Sequence, residues 1–443
     1  MTTIRRIDAI FLIALRDHPW NPRHPCAQAF EMITTLLNKL RWSYRKNVPD
    51  LLALFHRNYP EFMFSREPKA VQDEIPVFVF HSVEPVTFEA QLKFLARNRY
   101  RTLGGEEFRA AIAGERNIPE RSVLLTFDDG LATLWTVAYP LLRKYGFRAV
   151  SFIIPGCIPE QAPESPTYVE YEKNRVPVEA LLARERGDFP LCSWQEIQEM
   201  HRSGVIDFQS HTKYHHLVCV SPQLVDFIHP QYDFYFFANI NVPVYRVNGK
   251  LNFERQMPWG TPVYRAEPRM AGKPQYFDDE AARQACIEHV ARNGDEQFFS
   301  RDDWRRQLIA VYQEARQHQR NSEFESPEMQ AHMIYQDLQQ ARQIIENRLS
   351  GKTVDQLCYP WFMGSSLSVE QSRRAGYRVN YWGIVPQRKS NHAGDDLFYV
   401  PRIEDHYLFR LPGEGRKSLR EILSAKMQAN LPRFVNRLML TNN

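Results

Sequence analysis

The stretch Leu124-Leu125-Thr126-Phe127-Asp128-Asp129-Gly130 constrains the fold more than any other. Val123 to Phe127 is a short run of apolar, β-branched and aromatic residues, the composition of a buried strand. Two adjacent carboxylates follow without a spacer, and Gly130 lets the chain turn sharply after them. In α/β folds, the carboxyl ends of strands are where ligands bind and chemistry occurs. One acid placed there can hold a metal ion while its neighbour stays free as a base. Taken alone, a solvated Asp-Asp-Gly turn reads the same way.

A second stretch has the same form. Ile206-Asp207-Phe208-Gln209 reads as a strand, and Ser210-His211-Thr212-Lys213-Tyr214-His215-His216 follows it. His211 and His215 are four apart, so one helical turn puts both imidazoles on one face. Imidazole with carboxylate suits zinc or a similar divalent ion. A pair of surface histidines at a helix start is the alternative. It weakens because both stretches sit just past strands of what reads as one sheet.

Thr126-Phe127-Asp128-Asp129-Gly130 and His211-Thr212-Lys213-Tyr214-His215, in that order, resemble the first two motifs of the polysaccharide deacetylase (NodB-like) superfamily, carbohydrate esterase family 4. The segment from Glu74 to Val83, with Val77-Phe78-Val79-Phe80-His81, is similar to the family's opening strand. The resemblance spans roughly 74–218 and 326–412. It implies a distorted (β/α)7 barrel and metal-assisted hydrolysis of an N-acetyl group on a sugar. Asp129, His211 and His215 would be the metal ligands and Asp128 the base toward metal-activated water. The implied cofactor is a divalent metal, zinc first, with cobalt, nickel or iron as alternatives.

The remaining motifs depart from the family. Cys358-Tyr359-Pro360-Trp361 is similar to the third motif, and Tyr359, Pro360 and Trp361 would line the substrate pocket. Cys358 stands where arginine is common, and that arginine normally orients the catalytic acid pair. For the fourth motif, Trp382 is the one candidate. The last motif should supply a general acid after strand seven, where the chain reads Val400-Pro401-Arg402-Ile403-Glu404-Asp405-His406. His406 is the candidate acid, a few residues late, and Arg402 is placed to bind an oxyanion or a substrate anion.

Around these motifs the chain alternates strand and helix, as an α/β fold requires. Strands are expected at Val77–Phe80, Val123–Phe127, Ala149–Ile154, Ile206–Gln209, Val354–Tyr359, Val379–Trp382 and Phe398–Val400. Residues 1–73 read as an N-terminal helical extension, with Phe30, Ile33, Leu36, Leu37 and Leu40 at helical spacing. The barrel takes 74–218 and 326–412, and 413–443 form a helical tail. Residues 219–325 break the rhythm between strands four and five. This large insertion fits a lid, a substrate wall or a dimer interface, the last leaving a homo-oligomer open.

A chain of 443 residues with 43% hydrophobic and 24% charged content buries a large core. A net charge of +4 over this length does not argue for nucleic acid. The six cysteines are scattered without a C-x-x-C pair, which suits reduced thiols in a cytosolic protein. Ile10–Leu15 is too short to span a membrane, and no cleavage site follows it. The expected setting is therefore cytoplasmic, with peripheral contact at the membrane's inner face as an option. The favoured activity is N-deacetylation of a carbohydrate. An O-acetyl esterase, a non-sugar amidase and a non-catalytic carbohydrate-binding protein remain as rivals.

Overall fold

The computed structural model describes residues 50, 52–69, 71–318, 322–386, 388–426 and 428. The helix expected at Phe30–Leu40 lies outside them.

Seven parallel strands run in order through the main sheet: β1 (Val77–Phe80), β2 (Ser122–Asp129), β3 (Ala149–Ile153), β4 (Ile206–Ser210) and, past the insertion, three more; a two-residue eighth strand, Arg101–Thr102, pairs with β2 alone. The insertion contributes β5 (Leu217–Phe227), β6 (Pro243–Val247), β7 (Lys250–Asn252) and β8 (Pro262–Pro268). The main sheet then resumes with β9 (Gln356–Cys358), β10 (Val379–Tyr381) and β11 (Ile403–Glu404). Its order is β10-β9-β4-β3-β2-β1-β11. The lead-in to β11 returns to β10: Trp382 N donates to Val400 O (2.9 Å), Val400 N to Asn380 O (3.0 Å) and Arg402 N to Gly383 O (3.1 Å). The sheet thus curls into a distorted (β/α)7 barrel.

Residue parity sorts each strand between two cores. Leu124, Val150, Phe152, Cys358, Val379 and Tyr381 pack together inside the barrel. Val123, Leu125 and Phe127 of β2 face outward, with Ala149, Ile153, Ile206, Phe208 and Leu357, onto the surrounding helices. Helix α1 (Pro85–Arg97) covers this outer face with Phe88, Leu92 and Leu95. Helix α2 (Gly105–Ile112) precedes β2, and α3 (Tyr139–Tyr145) follows it after a π-helical turn at Leu134–Ala138. Helix α4 (Trp194–Arg202) begins with a capping box made by Ser193 and Glu196.

Strand seven differs from the expectation. Leu397–Tyr399 is a 3-10 turn, because the Asp396 side chain caps it by accepting from Phe398 N at 2.9 Å. Val400 makes a single bridge to Tyr381, and the strand proper is β11.

The insertion has its own four-stranded sheet, ordered β7-β6-β5-β8, and its own apolar core. Helices α5 (Glu280–Arg292) and α6 (Trp304–His318) belong to it. Helix α7 (Pro327–Arg348) then leads back to the barrel, and α8 (Ser366–Arg374) lies between β9 and β10. In the tail, residues 419–426 are helical, and Ile422 packs into the barrel's outer core. No helix among the described residues is long and apolar enough to cross a membrane.

Candidate metal centre

The carboxyl ends of β2, β4 and β9 meet at one place. Asp128 continues the inward parity of Leu124 and Thr126. Asp129 then takes φ +70° and Gly130 φ +76°, so the chain turns at once and the two carboxylates diverge. Past β4, residues 211–216 form a loop and not the helical turn expected from the histidine spacing. Thr212 (φ +64°) and His215 (φ +48°) hold left-handed backbone, and Thr212 Oγ1 accepts from His215 N at 3.1 Å. Such conformations cost about 1–3 kcal/mol each and persist where surrounding structure enforces them. Gly156 is one enforcing contact, since a Cβ there would lie 2.6 Å from Lys213 O. The buried carboxyl of Asp337, on α7, is another: it accepts from Lys213 N at 3.0 Å.

This loop brings both imidazoles to Asp129. His211 Nε2 lies 3.5 Å and His215 Nε2 3.7 Å from Asp129 Oδ1. His211 Nδ1 donates to the Cys358 carbonyl at 2.9 Å, which fixes the tautomer and leaves the Nε2 lone pair facing Asp129. Burial pushes the His211 pKa down to about 4 and that of His215 well below its ordinary value, so both rings are neutral near pH 7. His215 Nδ1 is buried without a hydrogen-bond partner. Across the third-motif turn, Trp361 (φ +57°) and Phe362 (φ +58°) are also left-handed. That turn sets the Trp361 ring 5.0 Å from the His215 ring. One carboxylate and two neutral imidazoles, with ligand atoms within 4.8 Å of one another, are the donor set of a divalent metal site.

Asp128 faces the barrel interior, where Arg402 meets it. Arg402 Nη1 donates to Asp128 Oδ1 (2.7 Å) and Nη2 to Oδ2 (2.8 Å), a bidentate pair. The same guanidinium donates to Thr126 Oγ1 (3.2 Å), the Trp382 carbonyl (3.1 Å) and Cys358 Sγ (2.9 Å). Its side chain is 0% exposed. Burial alone would raise the Asp128 carboxyl's pKa, but the Arg402 charge and its hydrogen bonds hold it well below the usual carboxylate range. Arg402 therefore stands behind the carboxylate and is closed to a substrate anion, against the expectation for it. Burial pushes the Cys358 thiol well above its ordinary pKa, so it is a neutral packing group.

Comparison with known proteins agrees with this geometry. Residues 115–231, which hold both carboxylates and both histidines, match the family model described as polysaccharide deacetylase. This segment is thus similar to polysaccharide deacetylases. The chain is similar to YxkH, a polysaccharide-deacetylase-like protein of Bacillus subtilis (strain 168), with 35% identity over 89 residues, 18% of this chain and 32% of the relative. It is also similar to the poly-β-1,6-N-acetyl-D-glucosamine N-deacetylase of Escherichia coli (strain K12), with 28% identity over 142 residues, 32% of this chain and 19% of the relative. The chain thus spans about a third or less of the length of these relatives. Among solved structures, a de-N-acetylase from Aggregatibacter actinomycetemcomitans superposes with a TM-score of 0.44 at 18% identity, covering 75% of this chain and 94% of that one.

The family resemblance also locates the departures. Where the third motif of a polysaccharide deacetylase commonly has arginine, this chain has Cys358, and the guanidinium at Asp128 is that of Arg402. Tyr359 is fully buried, its hydroxyl accepting from Asn380 Nδ2 at 2.7 Å, so it supports the wall from behind and is closed to substrate. Pro360 is buried as well, and Trp361 is half-buried over His215. His406 is not brought to the carboxylates. Its Nε2 is 3.5 Å from Lys426 Nζ and its ring packs 4.0 Å from that of Tyr407.

The sequence reading passed over one imidazole. His81 follows β1 directly, and its Nε2 lies 3.9 Å from Asp128 Oδ2 with 36% of the side chain exposed. Its ring is 6.1 Å from that of Phe362. The available signal was its position: it ends the opening strand, as Asp128 and Asp129 end the next.

Proposed function

We propose that the protein is a metal-dependent hydrolase that removes N-acetyl groups from an N-acetylated polysaccharide. The observation that carries this reading is the buried Asp129, His211 and His215 set beside an arginine-held Asp128. These three residues would hold the divalent ion, zinc first. When bound, the ion supplies Lewis acidity toward water and the acetyl carbonyl. Asp128 stays ionised at neutral pH because Arg402 grips both its oxygens, leaving lone pairs to take a proton from water. Arg402 fixes the direction of that carboxylate. His211 and His215 stay neutral and are oriented by the Cys358 carbonyl and the strained loop. His81, half-exposed beside Asp128, is our assignment for the acid that protonates the leaving amine, in place of His406. Trp361 and Phe362 exclude water and form one wall.

The Escherichia coli relative is a poly-β-1,6-N-acetyl-D-glucosamine N-deacetylase, which makes β-1,6-linked N-acetylglucosamine polymers the first substrate class to test. The five cysteines of the described residues are free thiols, which suits the cytoplasmic setting expected from the sequence. The test is acetate release from N-acetylglucosamine oligomers and from an acetate ester by the metal-loaded chain. Release from the oligomers supports amide hydrolysis, whereas release from the ester alone makes the protein an O-acetyl esterase.

A further inference from the structure

We propose that residues 233–241 of the insertion are a wall of the substrate cleft, and that Phe236 with Tyr235 binds the sugar unit adjoining the one that loses its acetyl group. This rests on the polysaccharide reading above and assigns it a subsite.

The segment lies inside the insertion but is anchored in the barrel. Phe237 (3% exposed) and Ile240 (1%) pack into the barrel's outer core, whereas Val242, just beyond, joins the insertion's own core. Ala238 and Asn239 both take φ +46°, which reverses the chain between the two anchors. Asn241 ties the loop together: its Oδ1 accepts from Tyr235 N at 2.9 Å and its Nδ2 donates to Asp233 O at 2.6 Å. The loop is therefore a fixed part of the barrel's carboxyl-end face.

Fixed in this way, it presents aromatic rings in sequence from the metal centre outward. The Trp361 ring is 5.0 Å from His215, the Tyr235 ring 5.9 Å from Trp361, and the Phe236 ring 4.8 Å from Tyr235. Phe236 ends the series 49% exposed. An exposed phenylalanine on a loop this well anchored offers an apolar face to a ligand, and the apolar face of a pyranose is the ligand such a ring fits. Burial and the nearby Asp129 charge push the Tyr235 phenol up, so it stays protonated as a hydrogen-bond donor. Phe236 stands two ring contacts out from the metal-side Trp361, which places it against a neighbouring unit and not the reacting one.

The test is calorimetric binding of N-acetylglucosamine and its β-1,6-linked pentamer to the zinc-loaded chain carrying Asp128→Asn, with and without Phe236→Ala. Zinc content is measured in both. We expect Phe236→Ala to weaken pentamer binding about tenfold while zinc content stays at the parental value, and Tyr235→Phe to weaken it several-fold. Equal pentamer affinity with and without Phe236 overturns the wall and leaves the deacetylase reading standing. A parental chain that binds neither sugar overturns the polysaccharide reading, and the subsite with it.

Discussion

Arg402 grips both oxygens of Asp128, at 2.7 and 2.8 Å, across 274 residues of chain and wholly inside the barrel. The pair is a charge neutralised where solvent does not reach. Replacing one member of a buried pair costs about 3–5 kcal/mol, because the other charge is left uncompensated. Arg402→Met is expected to lose stability on that scale in chemical denaturation, and Arg402→Met with Asp128→Leu to recover much of it. Equal losses in the single and double variants would contradict the pairing.

Acid should weaken the metal-free protein in two stages. The His211 pKa falls from 6.5 in the unfolded chain to about 4 in the folded one, chiefly by burial. Between those values the unfolded state binds the extra proton, so stability rises with pH across this window and is lost as pH falls through it. The contribution is on the order of 3 kcal/mol at neutral pH. Asp128, whose folded pKa is depressed, adds stability above the unfolded carboxylate value of about 3.9, and this is lost at still lower pH. Denaturant midpoints measured from pH 7 to 4 without metal should decline steadily, and His211→Gln should flatten the upper part of that decline.

Zinc should stabilise the chain in proportion to occupancy. At about 100 times the dissociation constant, binding to the folded state alone adds about 2.7 kcal/mol. A thermal melt should therefore shift upward with zinc and return on chelation. Asp129→Ala and His215→Ala should abolish the shift.

The choice of acid separates two histidines. His81→Ala is expected to lower kcat on N-acetylglucosamine oligomers by about 10²–10⁴-fold. His406→Ala, with its contacts at Lys426 and Tyr407, should stay within about twofold of the parent. The reverse order in steady-state assays would restore His406 as the acid.

Much of the barrel is legible because buried parallel strands are short and apolar: β1, β3, β9 and β10 fall within the runs read from sequence, and β2 and β4 extend past theirs at the ends. Two motifs past strand ends located the candidate metal set. Strand seven was misplaced because Phe398–Val400 has strand composition, while a local cap from Asp396 folds most of it as a 3-10 turn. The insertion's sheet was hidden by its longest strand, β5, whose register shifts between Cys219 and Asp226 break the alternation. The histidine loop was misread as a helix because a four-residue spacing does not reveal left-handed residues at Thr212 and His215. The Arg402–Asp128 pair is not legible in the sequence, since no local pattern records a contact over such a separation.

The most direct test is bound metal and acetate release measured on the same preparation. Metal content would be read by elemental analysis, and acetate from β-1,6-linked N-acetylglucosamine oligomers, for the parent and Asp128→Asn. The account predicts about one divalent ion per chain in both proteins, with release by the parent and loss of it in the variant. A chain that takes up no zinc, cobalt, nickel or iron, or a variant that releases acetate at the parental rate, would contradict it.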